Sequence, residues 1–154
     1  EKYGDKAEAV KEAFLKAYPE KSACDAYYVS NRTGDFGTLA KRLESGDNTN
    51  YNYLVSYESP LDGGVNLWHC GEIPFVFHNV DLVAGSYGGS QDAYDLQGVM
   101  ASAWVNFATT GDPNGDKVPA WSAYTDDNKS TMVFDTTSGE RVDYDAELQE
   151  LISQ

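Results

Sequence analysis

The sequence WHCGEIPFVFHN, residues 68–79, decides how the rest of the chain is interpreted. It places a histidine, His69, and an acid, Glu72, just before a short apolar run. Imidazole is the side chain best suited to exchanging protons near neutral pH. A helical turn would bring two residues three positions apart to the same side, so we expect a shared hydrogen-bond network. By itself, however, a single histidine beside aromatic residues favours a structural role over a catalytic one.

The bulk composition describes a globular protein with an acidic surface. The 154 residues suffice for one domain with a real core, and 41% of them are hydrophobic and 13% aromatic. The net charge is −14, and Lys41–Arg42 is the one adjacent basic pair. A surface for phosphates would need clustered Lys or Arg, so nucleic acid and membrane surfaces are not expected partners.

The sequence also predicts no cofactor and no metal site. Cys24 and Cys70 form neither a metal-binding spacing nor a disulfide framework. Cys70 is interpreted as a packing residue, with a nucleophilic role as the alternative. No apolar run approaches the ~18 residues of a membrane span. We expect the chain to begin partway through a longer protein, because it has neither a signal peptide nor an initiating Met. The compartment stays open, although the shortage of cysteines is compatible with the cytoplasm.

Three helices are predicted in the first 50 residues. Apolar residues recur at helical spacing after Asp5, which stands at a capping position, and Pro19 ends that run. Ser22 offers a cap for a short second helix that reaches about residue 31. Asp35 is expected to cap a third helix over residues 36–44.

The remainder of the chain predicts strands around one long helix. Aromatic and β-branched residues alternate over residues 51–57, which predicts a strand. The clearest helix covers residues 90–110, and Gly111 and Pro113 mark its end. The other predicted elements are a glycine-rich loop over 84–90, a strand over 131–135, a return strand at 141–142 and a helix through Ile152 capped by Asp143 or Asp145.

The histidine stretch resembles the histidine motif of the type-B carboxylesterases, the group that includes bacterial para-nitrobenzyl esterases and the cholinesterases. That motif reads approximately H-x-x-E-[LI]-x-[FY]-V-F. The resemblance continues through AWVNFATTGDPN (residues 103–114), the Trp121 and Tyr124 pair and TMVF (residues 131–134). Upstream, GDFGTLAKRL (residues 34–43) and the tyrosine-rich strand fit more loosely.

The resemblance implies an α/β fold, namely the C-terminal part of an α/β-hydrolase with a few central-sheet strands and flanking helices. It implies that His69 is the general base and acid of a serine esterase, and that Glu72 belongs to its supporting network. The catalytic serine and triad acid would lie in a missing N-terminal portion, since the order in α/β-hydrolases is serine, acid, histidine. The expected partners are therefore that portion and a small carboxylic ester.

Within the chain, the sequence 84–88 (AGSYG) is one residue from the G-x-S-x-G nucleophile pattern. It follows the histidine and has no convincing strand before it, so we interpret it as a flexible loop. Two alternatives to an esterase portion remain. One is a non-catalytic module that binds ligands or proteins. The other is a marginally folded piece that self-associates through uncovered sheet edges and apolar faces. The chain is expected to form a single segment over residues 1–154.

Overall fold

The computed structural model of the chain describes residues 2–27, 29, 32–46 and 49–153, and leaves out the side chains of residues 33 and 62. The chain forms two compact units. The first unit combines residues 1–50 with residues 143–154, and the second unit is Tyr51–Val142. That the whole chain is one segment of a larger domain stays a prediction.

The first unit is helical among its described residues. Its helices are α1 (Ala7–Ala17), α2 (Thr33–Glu44) and α6 (Ala146–Ser153), with 3₁₀ turns at Gly4–Lys6 and Ala23–Tyr27. Helix α1 buries one stripe, which consists of Val10, Ala13, Phe14 and Ala17. These positions recur every three or four residues, so they share one face, and α1 packs against α6.

A buried ion pair joins distant parts of this unit. The Arg32 guanidinium pairs with the Asp145 carboxylate, and both side chains are less than a tenth exposed. The main-chain N–H of Arg32 also donates to Oε1 of Gln149 at 2.7 Å. Residues more than a hundred positions apart are thereby fixed together, which accounts for why the two ends of the chain form one unit.

Two predicted helix caps in this unit are wrong. Helix α1 begins at Ala7, and Asp5 lies in the preceding 3₁₀ turn. Helix α2 begins at Thr33, so Asp35 lies inside its first turn, where a negative charge still favours the helix dipole. Ser22 does cap its turn, because its Oγ accepts from the N–H of Cys24 at 3.2 Å.

Other predictions for the first unit are met in part. The second helix was expected to reach residue 31. Ala23–Tyr27 form a 3₁₀ turn and the described residue 29 is not helical, while residues 28, 30 and 31 lie outside the described chain. Asp145 directly precedes α6 as predicted. Its carboxylate accepts from Arg32 and from Nε2 of Gln149.

The second unit contains a three-stranded sheet in the order β1 (Tyr53–Val55), β4 (Ser130–Phe134), β5 (Gly139–Val142). Strands β1 and β4 run parallel, with Leu54 opposite Val133. Strands β4 and β5 run antiparallel, with Met132 opposite Glu140, which confirms the predicted return strand. A two-stranded hairpin, β2 (Glu58–Ser59) and β3 (Val65–Asn66), lies between β1 and the histidine stretch.

Helix α5 (Gln91–Thr110) contributes one face to the core of the second unit and agrees with the sequence prediction. Ser90 caps it by accepting from the N–H of Ala93, and Gly111 ends it in a left-handed conformation with φ 81°. The buried face of α5 joins the sheet in one apolar core. That core includes Phe75, Val80, Tyr87, Leu96, Met100, Trp121, Met132 and Phe134.

The structure corrects two further predictions here. Strand β1 covers three residues instead of the predicted seven, because the chain turns into the hairpin directly afterwards. The predicted glycine-rich loop over residues 84–90 begins as a helical turn, α4 (Ala84–Tyr87), which follows the 3₁₀ turn Val80–Val83. Gly88 and Gly89 leave the helical conformation with positive φ, and Ser90 is extended. Among the described residues, no helix combines the length and apolar character needed to cross a membrane.

Candidate active site

His69 lies in a tight turn between β3 and α3 (Ile73–Val76). The N–H of Gly71 donates to the carbonyl of Trp68 at 2.8 Å, which closes a four-residue turn. The third residue, Cys70, has a φ of 64°. A positive φ at this position is typical of a type II turn, in which the second residue, here His69, points outward at the apex.

The ring of His69 is exposed. Within the described part of the chain it neither donates nor accepts a hydrogen bond. An exposed imidazole on a short turn can exchange protons with any group placed over it. The turn thus presents an imidazole that is open to solvent.

Glu72 lies at the N-terminal end of α3 and is half-buried. Its carbonyl accepts from the N–H groups of Phe75 and Val76 at 3.0 and 3.2 Å, and so begins the helix. Its carboxylate does not hydrogen-bond His69, so the structure does not join the two side chains in the expected network. Instead, the carboxylate lies close enough to the phenols of Tyr53 and Tyr87 to raise their pKa values, in addition to the larger effect of burial.

Tyr87 holds the histidine turn through a hydrogen bond to its main chain. The sequence analysis did not identify this residue. Its hydroxyl donates to the carbonyl of Gly71 at 2.7 Å, and its ring is buried. The ring packs edge-on against Phe75, with centroids 5.2 Å apart, and tilted against Trp68 at 5.7 Å. Because burial and the Glu72 charge raise its pKa, the phenol stays protonated and remains a donor.

The segment that carries Tyr87 is itself fixed to the hairpin. The hydroxyl of Tyr57 donates to the carbonyl of Tyr87 at 3.0 Å, and that of Ser59 donates to the carbonyl of Ser86 at 2.6 Å. Gly88 follows with φ 81°, and a Cβ there would lie 2.6 Å from Cγ of Pro60. The hairpin, α4 and the histidine turn therefore form one connected support.

Gly71 is sterically required in this turn. It is buried, and a Cβ at its position would lie 2.9 Å from the carbonyl oxygen of Trp68 and 3.1 Å from Cβ of Leu67. Only glycine fits at this position, and its N–H and carbonyl are bound by the Trp68 carbonyl and the Tyr87 hydroxyl. The main-chain path of the turn leaves His69 little freedom to move away from the apex.

Large apolar side chains in and just after the histidine stretch are exposed. Ile73 and Phe77 lie four residues apart, on one face of α3 and its C-terminal end, and are 43% and 72% exposed. Trp68 is 47% and Leu82 77% exposed. Exposed apolar residues at this density mark surfaces that contact ligands or other polypeptides.

Three sequence-based interpretations meet the structure differently. His78 is exposed at the surface, as predicted. Cys70 is exposed as well, so its interpretation as a packing residue is wrong, because the turn directs it to solvent. Ser86 lies in the helical turn α4, so the flexible loop predicted around it is wrong. Tyr87 carries no local signal, since its role depends on a contact with Gly71, sixteen residues away.

No cluster of three or more His, Cys, Asp or Glu side chains that could hold a metal ion occurs among the described residues. The polar groups described above for the site are the His69 imidazole, the Glu72 carboxylate, the Tyr87 hydroxyl and main-chain atoms. Such a set can accept, hold and return a proton, and it contains no strong nucleophile of its own beyond the exposed Cys70 thiol.

The chain resembles known esterases over nearly its whole length. The family model described as carboxylesterase family matches residues 20–150. Phenmedipham hydrolase of Pseudarthrobacter oxydans is 35% identical over 86 residues, which cover 53% of this chain and 17% of that protein. Para-nitrobenzyl esterase of Bacillus subtilis is 32% identical over 71 residues, 45% of this chain and 14% of that protein.

Solved structures agree with this result. An esterase from Clostridium hathewayi, described as hydrolysing aliphatic aromatic polyesters, matches with a TM-score of 0.88 and 31% identity over 99% of this chain. The carboxylesterase Est55 of Geobacillus stearothermophilus matches with a TM-score of 0.67 and 29% identity over 94% of this chain. The chain spans 30% and 31% of those two structures, so the predicted fold class, an incomplete α/β-hydrolase, is confirmed. The chain belongs to the carboxylesterase family.

Proposed function

We propose that this chain is the part of a carboxylic ester hydrolase that supplies the catalytic histidine, His69. The observation that carries the proposal is the geometry of the turn. It presents an exposed imidazole without a partner among the described residues, on a main-chain path held by Gly71 and Tyr87. Family membership adds the expectation of ester hydrolysis.

In the proposed reaction His69 moves one proton in each half. It takes the proton from a serine hydroxyl while the serine oxygen bonds to the ester carbonyl carbon. It then gives that proton to the leaving alcohol as the ester C–O bond breaks, which leaves an acyl-enzyme. A water molecule attacks the acyl group, again with His69 as base, and the serine regains its proton as the acid departs.

The serine, the triad acid and the oxyanion-binding N–H groups are proposed to lie in an N-terminal portion of the same esterase. The chain spans 17% of the phenmedipham hydrolase it matches, which leaves room for such a portion in a protein of that kind. Ser86 is not the proposed nucleophile, because it lies within the helical turn α4, which follows a 3₁₀ turn, and not in an elbow between a strand and a helix. A small carboxylic ester is the proposed substrate.

Strand β1 offers an edge on which the N-terminal portion can dock. The carbonyl of Asn52 accepts from Met132, and the N–H of Ser56 donates to Phe134, so alternate main-chain groups of this strand face β4. By the alternation of a strand, the N–H and C=O groups of Tyr53 and Val55 face the opposite edge. No other described strand pairs there. An added strand would satisfy these groups.

A labelling experiment tests the division of the active site. The chain is mixed with the portion encoded upstream in its reading frame, and a short-chain aryl ester and a fluorophosphonate that reacts with activated serines are added. We expect ester turnover only when both portions are present, and in the mixture we expect label only on the upstream portion. Label on this chain would contradict the proposal. A mixture without turnover or label would favour the non-catalytic binding module.

The docking edge is tested with two variants of Val55. Val55→Pro removes the outward N–H, whereas Val55→Ala keeps it and loses similar apolar contact. We expect Val55→Pro to weaken binding of the upstream portion about tenfold more than Val55→Ala does. Only the proline variant loses the main-chain hydrogen bond donated by residue 55 to the added strand. Titration of turnover against the upstream portion measures both. Equal weakening by the two variants would show that this edge is not used.

A further inference from the structure

We propose that Tyr87 is a positioning residue for His69, acting through the main chain of the histidine turn. The inference rests on the proposed function of His69. Tyr87 has no place in the proposed proton transfers, yet it is a buried polar residue whose hydroxyl is directed at the turn.

The contact is made at Gly71, two residues after His69. The Tyr87 hydroxyl holds the carbonyl of Gly71 at 2.7 Å, while the N–H of the same residue holds the Trp68 carbonyl at 2.8 Å. Both main-chain groups of Gly71 are thus fixed, one on each side of the residue. Since His69 lies between Trp68 and Gly71, rotation of either peptide group would move the imidazole from the apex.

The Tyr87 ring adds a second restraint. It contacts Trp68, which precedes His69, and Phe75, which lies in the helix that follows. The backbone of Tyr87 is in turn bound by the Tyr57 hydroxyl at 3.0 Å. A chain of contacts therefore runs from the hairpin through Tyr87 to both sides of the turn. Proton transfer depends steeply on the position of the base, so loosening this chain should lower the rate without weakening ester binding.

Tyr87→Phe tests the inference, because it keeps the ring and removes the hydroxyl. Tyr18→Phe in the first unit is the matched control, since Tyr18 is equally buried and its hydroxyl contacts that of Tyr144 at 3.2 Å. In the chain itself we expect the Gly71 amide proton to exchange about tenfold faster in Tyr87→Phe and at the wild-type rate in Tyr18→Phe. Unchanged Gly71 exchange in Tyr87→Phe would overturn the inference.

The completed esterase is this chain combined with the upstream portion. In it we expect Tyr87→Phe to lower kcat about tenfold and to leave KM within about twofold of wild type. Tyr18→Phe should leave both constants unchanged. Wild-type kcat in Tyr87→Phe, in an enzyme that His69→Ala inactivates, would overturn this inference alone. Full activity of His69→Ala would instead overturn the proposed function, and the exchange measurement would still report whether Tyr87 holds the turn.

Discussion

In the unit formed by residues 1–50 and 143–154, charged side chains are buried against each other, whereas in Tyr51–Val142 the key imidazole is presented to solvent. Arg32 and Asp145 form an ion pair inside the first unit, in which Nε of Arg32 is buried without a hydrogen-bond partner among the described residues. In the second unit the buried polar contacts serve the main chain around His69, and the ring itself is left exposed. The first arrangement is typical of structural stability, and the second is typical of a binding or catalytic surface.

The electrostatics of the two units show the same contrast. Burial lowers the pKa of Arg32, but electrostatic interactions with Tyr144 and Asp145 outweigh it, and the pKa is raised. The guanidinium therefore stays charged inside the first unit. In the second unit, burial and the nearby Glu72 carboxylate raise the pKa values of the Tyr53 and Tyr87 phenols. Both phenols therefore stay protonated. One unit thus buries a charge with a countercharge, and the other keeps its hydrogen-bond donors neutral.

The largest stability effect is expected from Arg32→Met, because it leaves the Asp145 carboxylate buried without its countercharge. The free energy of unfolding should fall by about 3–5 kcal/mol. Lys16→Met is the matched control, since Lys16 forms an exposed pair with Glu147 in the same unit and should cost at most about 1 kcal/mol. Urea unfolding measures both. A similar loss in the two variants would remove the distinction between a buried and an exposed pair.

A smaller effect, of opposite sign, is expected from Cys70→Gly. The φ of 64° at Cys70 costs an ordinary residue about 1 kcal/mol that glycine does not lose, so this variant should be stabilised by about that amount. Cys24→Gly is the control, because Cys24 is also exposed but lies in the 3₁₀ turn Ala23–Tyr27. It should be destabilised by about 0.5–1 kcal/mol. Thermal unfolding that shifts in the same direction for both variants would contradict the strained turn.

The sequence predicted the elements whose signals are local. Helix α5 was predicted together with its glycine end, and β5 was predicted to return along β4, because the terminating glycine and a short turn lie next to the segments they define. The family resemblance was also local, since it depended on short motifs with fixed spacing. The proposal for His69 came from the same motif.

The rest depended on contacts between distant residues. The ion pair of Arg32 and Asp145 joins residues 113 positions apart, and no periodicity indicates it. Composition made residues 84–90 look like a loop, but bonds from Tyr57 and Ser59 hold α4 in place. The turn around Cys70 was not predicted, since the residue that adopts positive φ there is not a glycine.

The central claim is that His69 carries the proton in ester hydrolysis, and one measurement tests it most directly. His69→Ala and His78→Ala are compared in the completed esterase, because both histidines are exposed in the same stretch of the second unit. We predict that kcat falls by about 10⁴- to 10⁶-fold in His69→Ala and stays within about twofold of wild type in His78→Ala. Equal activity of the two variants would contradict the account.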